Sequence, residues 1–275
     1  MSIDCLRTAQ QAGVSDLLST LKTVEINPVD ICNRTCSFCP RSDSKLYPNT
    51  KEKMSLDLVS KIATDLKDIN YSGRISFVGF GEPLLYKSLV DAVKIVSGSV
   101  PRCKWIEINT NADFLSKELA EELRLAGCTN LTISMYDSDI SKELTAKLKG
   151  IDLELTFKHC YQENFEISLV NRSDIILQKE TGIYQEQCFL PFYKMFIDWN
   201  GDVLVCCNDW GRKGIIGNVN TSSIKELWLS KPMNTYRRSL RDGNRNGQDP
   251  CKYCNIQGTK YGKDSFDFFN KNYLS

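Results

Sequence analysis

The chain has 275 residues, 41% of them hydrophobic, and its 35 Lys and Arg residues nearly balance its 34 Asp and Glu residues, giving a formal net charge of +1. This length supports one or two domains with a substantial core, and the balanced charge argues against nucleic acid or an anionic membrane as a partner. No stretch approaches the ~18 apolar residues of a membrane span, so we expect a cytoplasmic protein.

Strand-like and helix-like apolar patterns alternate along the first 160 residues. The predicted strands are 23–27, 74–78, 105–109, 131–135 and 153–157, and the predicted helices are 55–66, 88–96, 116–126 and 141–148. Strands that alternate with helices are typical of right-handed crossover units in a parallel sheet. Five such strands predict a partial TIM-like (β/α) barrel, whose ligands lie at the carboxyl ends of the strands.

The loop after the first predicted strand carries three cysteines, Cys32, Cys36 and Cys39, in the spacing C-x3-C-x2-C. Thiolates are good ligands for iron, and three of them would bind three irons of a [4Fe-4S] cluster and leave one iron open. The alternatives are a zinc knuckle or three unrelated thiols of the core. Zinc sites favour a C-x2-C pair answered by a second pair, and the next cysteine along the chain is Cys103.

A second motif, RISFVGFGEPLL at residues 74–85, ends a predicted strand in a glycine-rich turn with Gly81 and Glu82. Glycine lets the backbone approach a ligand closely, and a carboxylate accepts hydrogen bonds from an ammonium group. Polar residues also end the next two predicted strands, although Asn is equally the ordinary residue of a strand-ending turn. These residues are Asn109, Asn111 and Ser134, and we expect them at the same mouth of the barrel.

The pattern changes after residue 160, and we predict a barrel domain over residues 1–160 and a small α+β domain over residues 161–275. Residues 194–207, KMFIDWNGDVLVCC, predict a β-hairpin around Asn200 and Gly201, and residues 223–240 predict one helix. Clustered cysteines in a cytosolic chain are more typical of metal ligands than of disulfides. The second domain contains five, any four of which would suffice for an iron or zinc site: Cys188, Cys206, Cys207, Cys251 and Cys254.

The first two motifs together resemble the radical S-adenosylmethionine (SAM) superfamily, whose signature adds an aromatic residue just before the last cysteine, here Phe38. The resemblance implies that Cys32, Cys36 and Cys39 hold a [4Fe-4S] cluster whose open iron is chelated by SAM. It also implies that the glycine-rich strand end binds the SAM amino group. The candidate SAM contacts are Phe38, Gly81, Glu82, Asn109, Asn111 and Ser134.

The C-terminal region resembles the shortened SPASM domain of that superfamily, called a twitch domain, which carries one auxiliary [4Fe-4S] cluster. The resemblance implies that its ligands are Cys188, Cys206, Cys251 and Cys254. If the chain around Cys206 is an extended strand, Cys207 points to the opposite face and does not serve the same cluster. Zinc bound by four thiolates stays open as the alternative.

The resemblance is strongest to sugar- and cyclitol-modifying members of the superfamily. It implies hydrogen abstraction from a hydroxyl-bearing carbon of a sugar, cyclitol or aminoglycoside-like substrate, oxidation to a ketone, and a flavodoxin or ferredoxin-type electron donor. Arg172 matches an arginine that lies against the substrate hydroxyls, and Cys207 replaces an aromatic substrate contact. Hydrogen donation by Cys207 would instead make the protein an epimerase. Modification of a ribosomal peptide and a non-catalytic, metal-stabilised scaffold are the further alternatives.

Overall fold

The structure is a computed structural model of the chain, and it describes residues 13–136, 142–159, 172, 175, 185–256 and 260–274. The chain divides into two compact units. The N-terminal unit comprises Glu25–Leu169 and Ile197–Gly201, and the C-terminal unit comprises Met1–Val24, Val170–Phe196 and Asp202–Ser275. The domain boundary predicted at residues 160 and 161 lies outside the described residues and stays a prediction.

The described residues form eight strands, hydrogen-bonded in the order β5-β4-β3-β2-β1-β6-β7-β8, so the sheet is not closed into a barrel. Strands β2 to β5 pair in parallel, whereas β7 and β8 are antiparallel. Parallel pairing brings the carboxyl ends of β2, β3 and β4 to one edge. The strands are β1 (Thr23–Ile26), β2 (Arg74–Phe77), β3 (Trp105–Thr110), β4 (Asn130–Met135), β5 (Glu154–His159), β6 (Lys194–Ile197), β7 (Asp202–Leu204) and β8 (Ile215–Asn218).

Two of the crossover helices, Leu56–Asp68 and Lys117–Leu125, begin behind a capping serine and carry apolar residues at helical spacing. The first of these two helices, for example, buries Leu58, Ile62 and Leu66, and its N-cap Ser55 accepts a hydrogen bond from the Leu58 amide. Among the described residues, no helix has the length and hydropathy needed to cross a bilayer. The helices are α1 (Val14–Leu18), α2 (Leu56–Asp68), α3 (Leu89–Ser99), α4 (Lys117–Leu125), α5 (Lys142–Leu148), α6 (Leu190–Tyr193), α7 (Ile224–Trp228), α8 (Lys231–Arg241) and α9 (Lys263–Asn272).

The prediction of a single helix over residues 223–240 is wrong, because the chain forms α7 and α8 there. Pro232 stands in the first turn of α8, where a residue without an amide hydrogen is tolerated, and Ser230 caps that helix through the Met233 amide. The same proline in the interior of a longer helix would remove a hydrogen bond and clash with the preceding turn. Strand β8 and helix α9 were not predicted from the sequence.

The prediction that Cys206 and Cys207 lie in an extended strand is also wrong. Strand β7 ends at Leu204, and the Asp209 amide donates to the Cys206 carbonyl oxygen at 3.2 Å, which closes a turn. The buried Asp209 carboxylate accepts hydrogen bonds from the amides of Lys213 and Gly214, at 3.0 and 2.7 Å, and so draws the chain back on itself. Strand alternation therefore does not determine where the Cys206 and Cys207 side chains lie, and the turn does.

Candidate functional site

The three cysteines of the first motif lie in the loop after β1, each half-buried. The Cys39 amide donates to the Cys36 carbonyl oxygen at 2.9 Å, so the last two share one tight turn. Burial, and then the neighbouring Cys39 thiol, raises the pKa of Cys36 to about 11, and burial raises the pKa of Cys32. Thiols that sense one another's charge are poorly ionised without a cation and are deprotonated when they coordinate one. Their chemistry therefore fits a metal cluster.

Two residues that sequence reasoning missed, Arg41 and Asn49, anchor this loop. Asn49 accepts the Cys32 amide at 2.9 Å and donates to the Cys32 carbonyl oxygen at 3.0 Å. The buried Arg41 guanidinium donates to Asn49 Oδ1 at 2.8 Å and to the Phe80 carbonyl oxygen at 2.6 Å, and it is paired with Asp30. In the sequence, the only sign of this role is that Arg41 is a charged residue directly after Cys39 and Pro40. Asn49 therefore fixes the backbone of Cys32 through both its amide and its carbonyl group.

The glycine-rich strand end after β2 packs against the cysteine loop itself. A Cβ atom at Gly81 would collide with the Val29 carbonyl oxygen and lie 2.8 Å from that of Ile31. The next amide, of Glu82, donates to the Ile31 carbonyl oxygen at 2.8 Å. The sequence predicts close approach of a ligand at Gly81, whereas the structure shows close approach of the protein's own backbone.

We expect Gly81→Ala to lower the free energy of unfolding by about 1–3 kcal/mol and to reduce cluster incorporation, because the backbone next to the cysteine loop must move. The matched control is Gly98→Ala in α3, where an added Cβ meets nothing within 4 Å. That variant should gain about 0.5 kcal/mol, since Ala favours a helix over Gly. Urea unfolding and the iron content after reconstitution check both variants, and an unchanged Gly81→Ala protein would contradict the packing argument.

The Glu82 carboxylate joins the ends of β2 and β3. It is 3% exposed and accepts hydrogen bonds from the Thr110 hydroxyl at 2.5 Å, the Asn111 amide at 2.9 Å and the Leu84 amide at 3.0 Å. Burial raises the pKa of Glu82, and these three donors oppose that change by stabilising the charged form. Thr110, a hydroxyl between two strand-ending asparagines, was missed from the sequence. A SAM contact by Glu82 stays a prediction.

The predicted polar residues at the ends of β3 and β4 do come together. Ser134 donates to Asn109 Oδ1 at 2.9 Å, and Asn111 and Ser134 line a cavity of about 340 Å³ beside α5. The ring of Phe38 lies 5.4 Å from that of Tyr136, which lines the same cavity. A cavity with mixed polar and aromatic walls has the character of a small-molecule site. The individual contacts to SAM stay predictions.

The C-terminal unit places four cysteines around one cavity, whose lining also includes Leu190, Val205 and Leu240. Burial raises the pKa of Cys206 well above its usual value, and the neighbouring thiols add to this effect. No three His, Cys, Asp or Glu side chains within the described ranges lie close enough together to hold a single metal ion. Four thiols that surround a space fit a cluster with one thiolate per iron. These cysteines are Cys188, Cys206, Cys251 and Cys254.

The two predicted catalytic residues, Arg172 and Cys207, lie on either side of Asn208. Arg172 Nη1 donates to Asn208 Oδ1 at 3.1 Å, and Asn208 Nδ2 donates to the Cys207 sulfur at 3.8 Å. The Arg172 guanidinium lies 5.9 Å from the centre of the Trp210 ring. Asn208 was missed from the sequence, where its position after the Cys-Cys pair was the only signal. Asn208 therefore brings the planar, cationic guanidinium of Arg172 and the thiol of Cys207 together within the C-terminal unit.

Comparisons with known proteins agree with this geometry. The sequence model of the radical SAM superfamily matches residues 26–154, and that of the SPASM iron-sulfur cluster-binding domain matches residues 188–255. The chain is 31% identical over 245 residues to the S-adenosyl-L-methionine-dependent 2-deoxy-scyllo-inosamine dehydrogenase of Niallia circulans, covering 87% of this chain and 94% of that protein. A probable GTP 3',8-cyclase of Saccharolobus islandicus is 32% identical over 132 residues, 48% of this chain and 40% of the cyclase.

Among solved structures, the crystal structure of BtrN in complex with AdoMet and 2-DOIA matches with a TM-score of 0.75 and 26% identity, covering 88% of this chain and 97% of that one. The predicted fold class, a partial TIM-like (β/α) barrel followed by a small α+β cluster-binding domain, is thereby confirmed, and so is the predicted superfamily. The chain belongs to the radical SAM superfamily and carries a C-terminal SPASM iron-sulfur cluster-binding domain.

Proposed function

We propose that this protein is a radical SAM dehydrogenase that oxidises a hydroxyl-bearing carbon of a cyclitol, or of a related sugar or aminoglycoside-like compound, to a ketone. One observation carries the proposal. The similarity to 2-deoxy-scyllo-inosamine dehydrogenase extends through both the three-cysteine loop and the SPASM region, nearly the full length of both chains. The first region alone would account for radical generation, and the second adds a route for the electron that oxidation releases.

The seven cysteines divide between two [4Fe-4S] clusters in this proposal. Cys32, Cys36 and Cys39 hold the cluster that binds SAM, and a cavity lined by Arg34 of the same loop includes two of the proposed SAM contacts, Asn111 and Ser134. The cofactors, when bound, supply hydrogen-atom abstraction at the first site and acceptance of one electron at the second. The proposed SAM contacts are Phe38, Gly81, Glu82, Asn109, Asn111 and Ser134, and the proposed ligands of the second cluster are Cys188, Cys206, Cys251 and Cys254.

Arg172 binds and orients the substrate hydroxyl in this proposal. Its planar guanidinium offers several donors in a fixed geometry, and it hardly deprotonates, so it acts as a donor and not as a base. Asn208 restricts the guanidinium by accepting from Nη1. Conversion of the alcohol to the ketone removes one hydrogen atom from carbon, one proton from the hydroxyl and one electron.

The location and the redox partner are also proposals. The ten described cysteines form no disulfide, which fits the reducing cytoplasm. A flavodoxin or ferredoxin-type protein is the proposed electron donor, because the chemistry begins with a single low-potential electron.

The test uses anaerobically reconstituted protein with SAM, a chemical reductant and 2-deoxy-scyllo-inosamine as the probe. We expect a product two hydrogens lighter than the probe, one 5'-deoxyadenosine per product, and little deuterium in the product when the solvent is deuterium oxide. Arg172→Ala should raise KM and leave the iron content unchanged, since in this proposal the side chain contacts the substrate and not the clusters. SAM cleavage without an oxidised product from any cyclitol or aminocyclitol would contradict the proposal.

Epimerisation is the second candidate, and the position of Cys207 is the observation that favours it. The thiol is half-buried and lies beside Asn208, within two hydrogen bonds of Arg172. An epimerase should place one solvent deuterium in a product of otherwise unchanged composition, and Cys207→Ala should stop turnover. A dehydrogenase should tolerate Cys207→Ala. Cys103→Ala, a thiol of the N-terminal unit, is the control.

A further inference from the structure

The two residues that follow Cys32 are tied to the chain segment after β3 by a single carboxylate, that of Asp113. Arg34 donates to it twice, from Nε to Oδ2 at 2.7 Å and from Nη2 to Oδ1 at 2.6 Å. Asn33 Nδ2 donates to the same Oδ2 at 2.6 Å, and Asn111 Nδ2 donates to Asn33 Oδ1 at 2.9 Å. Two of the three residues between Cys32 and Cys36 are therefore both hydrogen-bonded to the Asp113 carboxylate.

Residues that make these hydrogen bonds also line the cavity at the ends of β3 and β4. Arg34, Asp113, Tyr136 and Lys147 all line it. The Arg34 guanidinium lies 5.6 Å from the centre of the Tyr136 ring, and Lys147 Nζ donates to the Asp113 carbonyl oxygen at 3.2 Å. The hydrogen bonds from Arg34 hold the pKa of Asp113 below its usual range, so the carboxylate is charged. One ion pair thus connects the cysteine loop to the cavity wall.

The stability of the fold depends little on this pair. The side chains of Arg34 and Asp113 are 26% and 31% exposed, and ion pairs with this much solvent contribute about 0–1 kcal/mol. Four hydrogen bonds between a ligand-bearing loop and a cavity wall nevertheless restrict where the loop can lie. Groups that hold metal ligands in place from outside typically alter metal affinity or activity about 10–100-fold when removed. The expected effect of losing Asp113 is therefore on the site and not on folding.

We propose that Asp113 is a positioning residue for SAM-dependent chemistry, which acts through Arg34 and Asn33 by holding the Cys32 to Cys36 segment in register with the cavity. The inference rests on the cofactor site of the proposed function and is independent of the substrate. The chain separation of 79 residues between Arg34 and Asp113 means that only the folded protein creates this contact.

The test compares wild type with Asp113→Asn, which keeps the size of the side chain and removes its charge. We expect about tenfold weaker SAM binding to the reconstituted protein and a smaller change in the EPR spectrum of the reduced cluster when SAM is added. The unfolding midpoint of the protein before reconstitution should stay unchanged. Glu121→Gln is the matched control, because Glu121 makes the same two-pronged contact with Arg124 on the surface of α4.

A double-mutant cycle separates positioning from a general effect of charge. In the Arg34→Met background, Asp113→Asn should have little further effect on SAM affinity, because the Arg34 contact is already absent and the amide oxygen of Asn can still accept the hydrogen bond from Asn33. Equal effects in both backgrounds, or wild-type SAM affinity in Asp113→Asn, would overturn the inference. Arg34→Lys keeps the charge without the two-pronged geometry and should give an intermediate affinity. Wild type that binds SAM without oxidising the cyclitol would overturn only the proposed dehydrogenase reaction.

Discussion

Replacement of Cys32, Cys36 and Cys39 together by Ala is expected to abolish SAM cleavage and to lower the iron content of the reconstituted protein from about eight to about four per chain. The three thiols lie in one loop and sense one another's charge, as we expect of one ligand set. Their removal leaves the four thiols of the C-terminal cavity untouched. Iron and sulfide analysis and the yield of 5'-deoxyadenosine measure the effect.

The complementary variant, Cys251→Ala with Cys254→Ala, should also lose about four irons but retain SAM cleavage, while ketone formation is lost. Cys128→Ala is the control, since this buried thiol hydrogen-bonds to the carbonyl oxygens of Ile106 in β3 and Asn130 in β4 and lies in neither set. Wild-type protein that holds about four irons and one zinc would contradict the second cluster and with it the oxidative mechanism.

Arg237→Ala is expected to lower the free energy of unfolding by about 3–4 kcal/mol. The Arg237 side chain is fully buried in the C-terminal unit, and its guanidinium lies 4.1 Å from the ring centres of both Trp228 and Phe269. It donates to the carbonyl oxygens of Pro191 and Trp228, at 2.9 and 2.6 Å, and to Asn234 Oδ1 at 2.8 Å. Removal leaves buried acceptors unpaired and a gap between two aromatic rings.

The adjacent Arg238 on α8 is exposed and provides the matched control. Arg238→Ala should change the free energy of unfolding by no more than about 0.5 kcal/mol. Arg237→Lys should recover part of the loss, because it retains a cation but neither the planar stack nor the fixed donors. Urea unfolding followed by circular dichroism measures all three, and equal effects at positions 237 and 238 would show that the buried guanidinium has no special role.

Local sequence was sufficient to predict the parallel strands and the cysteine loop. Strand β2 was predicted at 74–78 and observed at Arg74–Phe77, and α4 was predicted at 116–126 and observed at Lys117–Leu125. These elements follow from apolar periodicity and capping residues, which are properties of neighbouring residues. The ligand spacing of Cys32, Cys36 and Cys39 is equally local, and it led to the correct superfamily.

Two errors arose where a local signal was overlooked or outweighed. Pro232 marks the first turn of α8 and was a readable reason to divide the helix predicted over 223–240. The apolar run before Cys207 reads as a strand, but the strand ends at Leu204 and the Asp209 amide closes a turn on the Cys206 carbonyl oxygen. The Asp209 carboxylate then binds the amides of Lys213 and Gly214 in the loop that follows. A side chain that captures backbone amides several residues away defeats a prediction that rests on periodicity alone.

The contacts that build the candidate site depend on the folded arrangement of distant segments. Glu82 meets Thr110 across 28 positions, and Asn33 meets Asp113 across 80. Parallel strand order brings these segments to one edge of the sheet, and strand register determines which side chains meet there. Spacing could therefore identify the thiols, whereas the partners that hold them became visible only in the folded chain, because hydrogen bonds between segments have no periodic trace in the sequence.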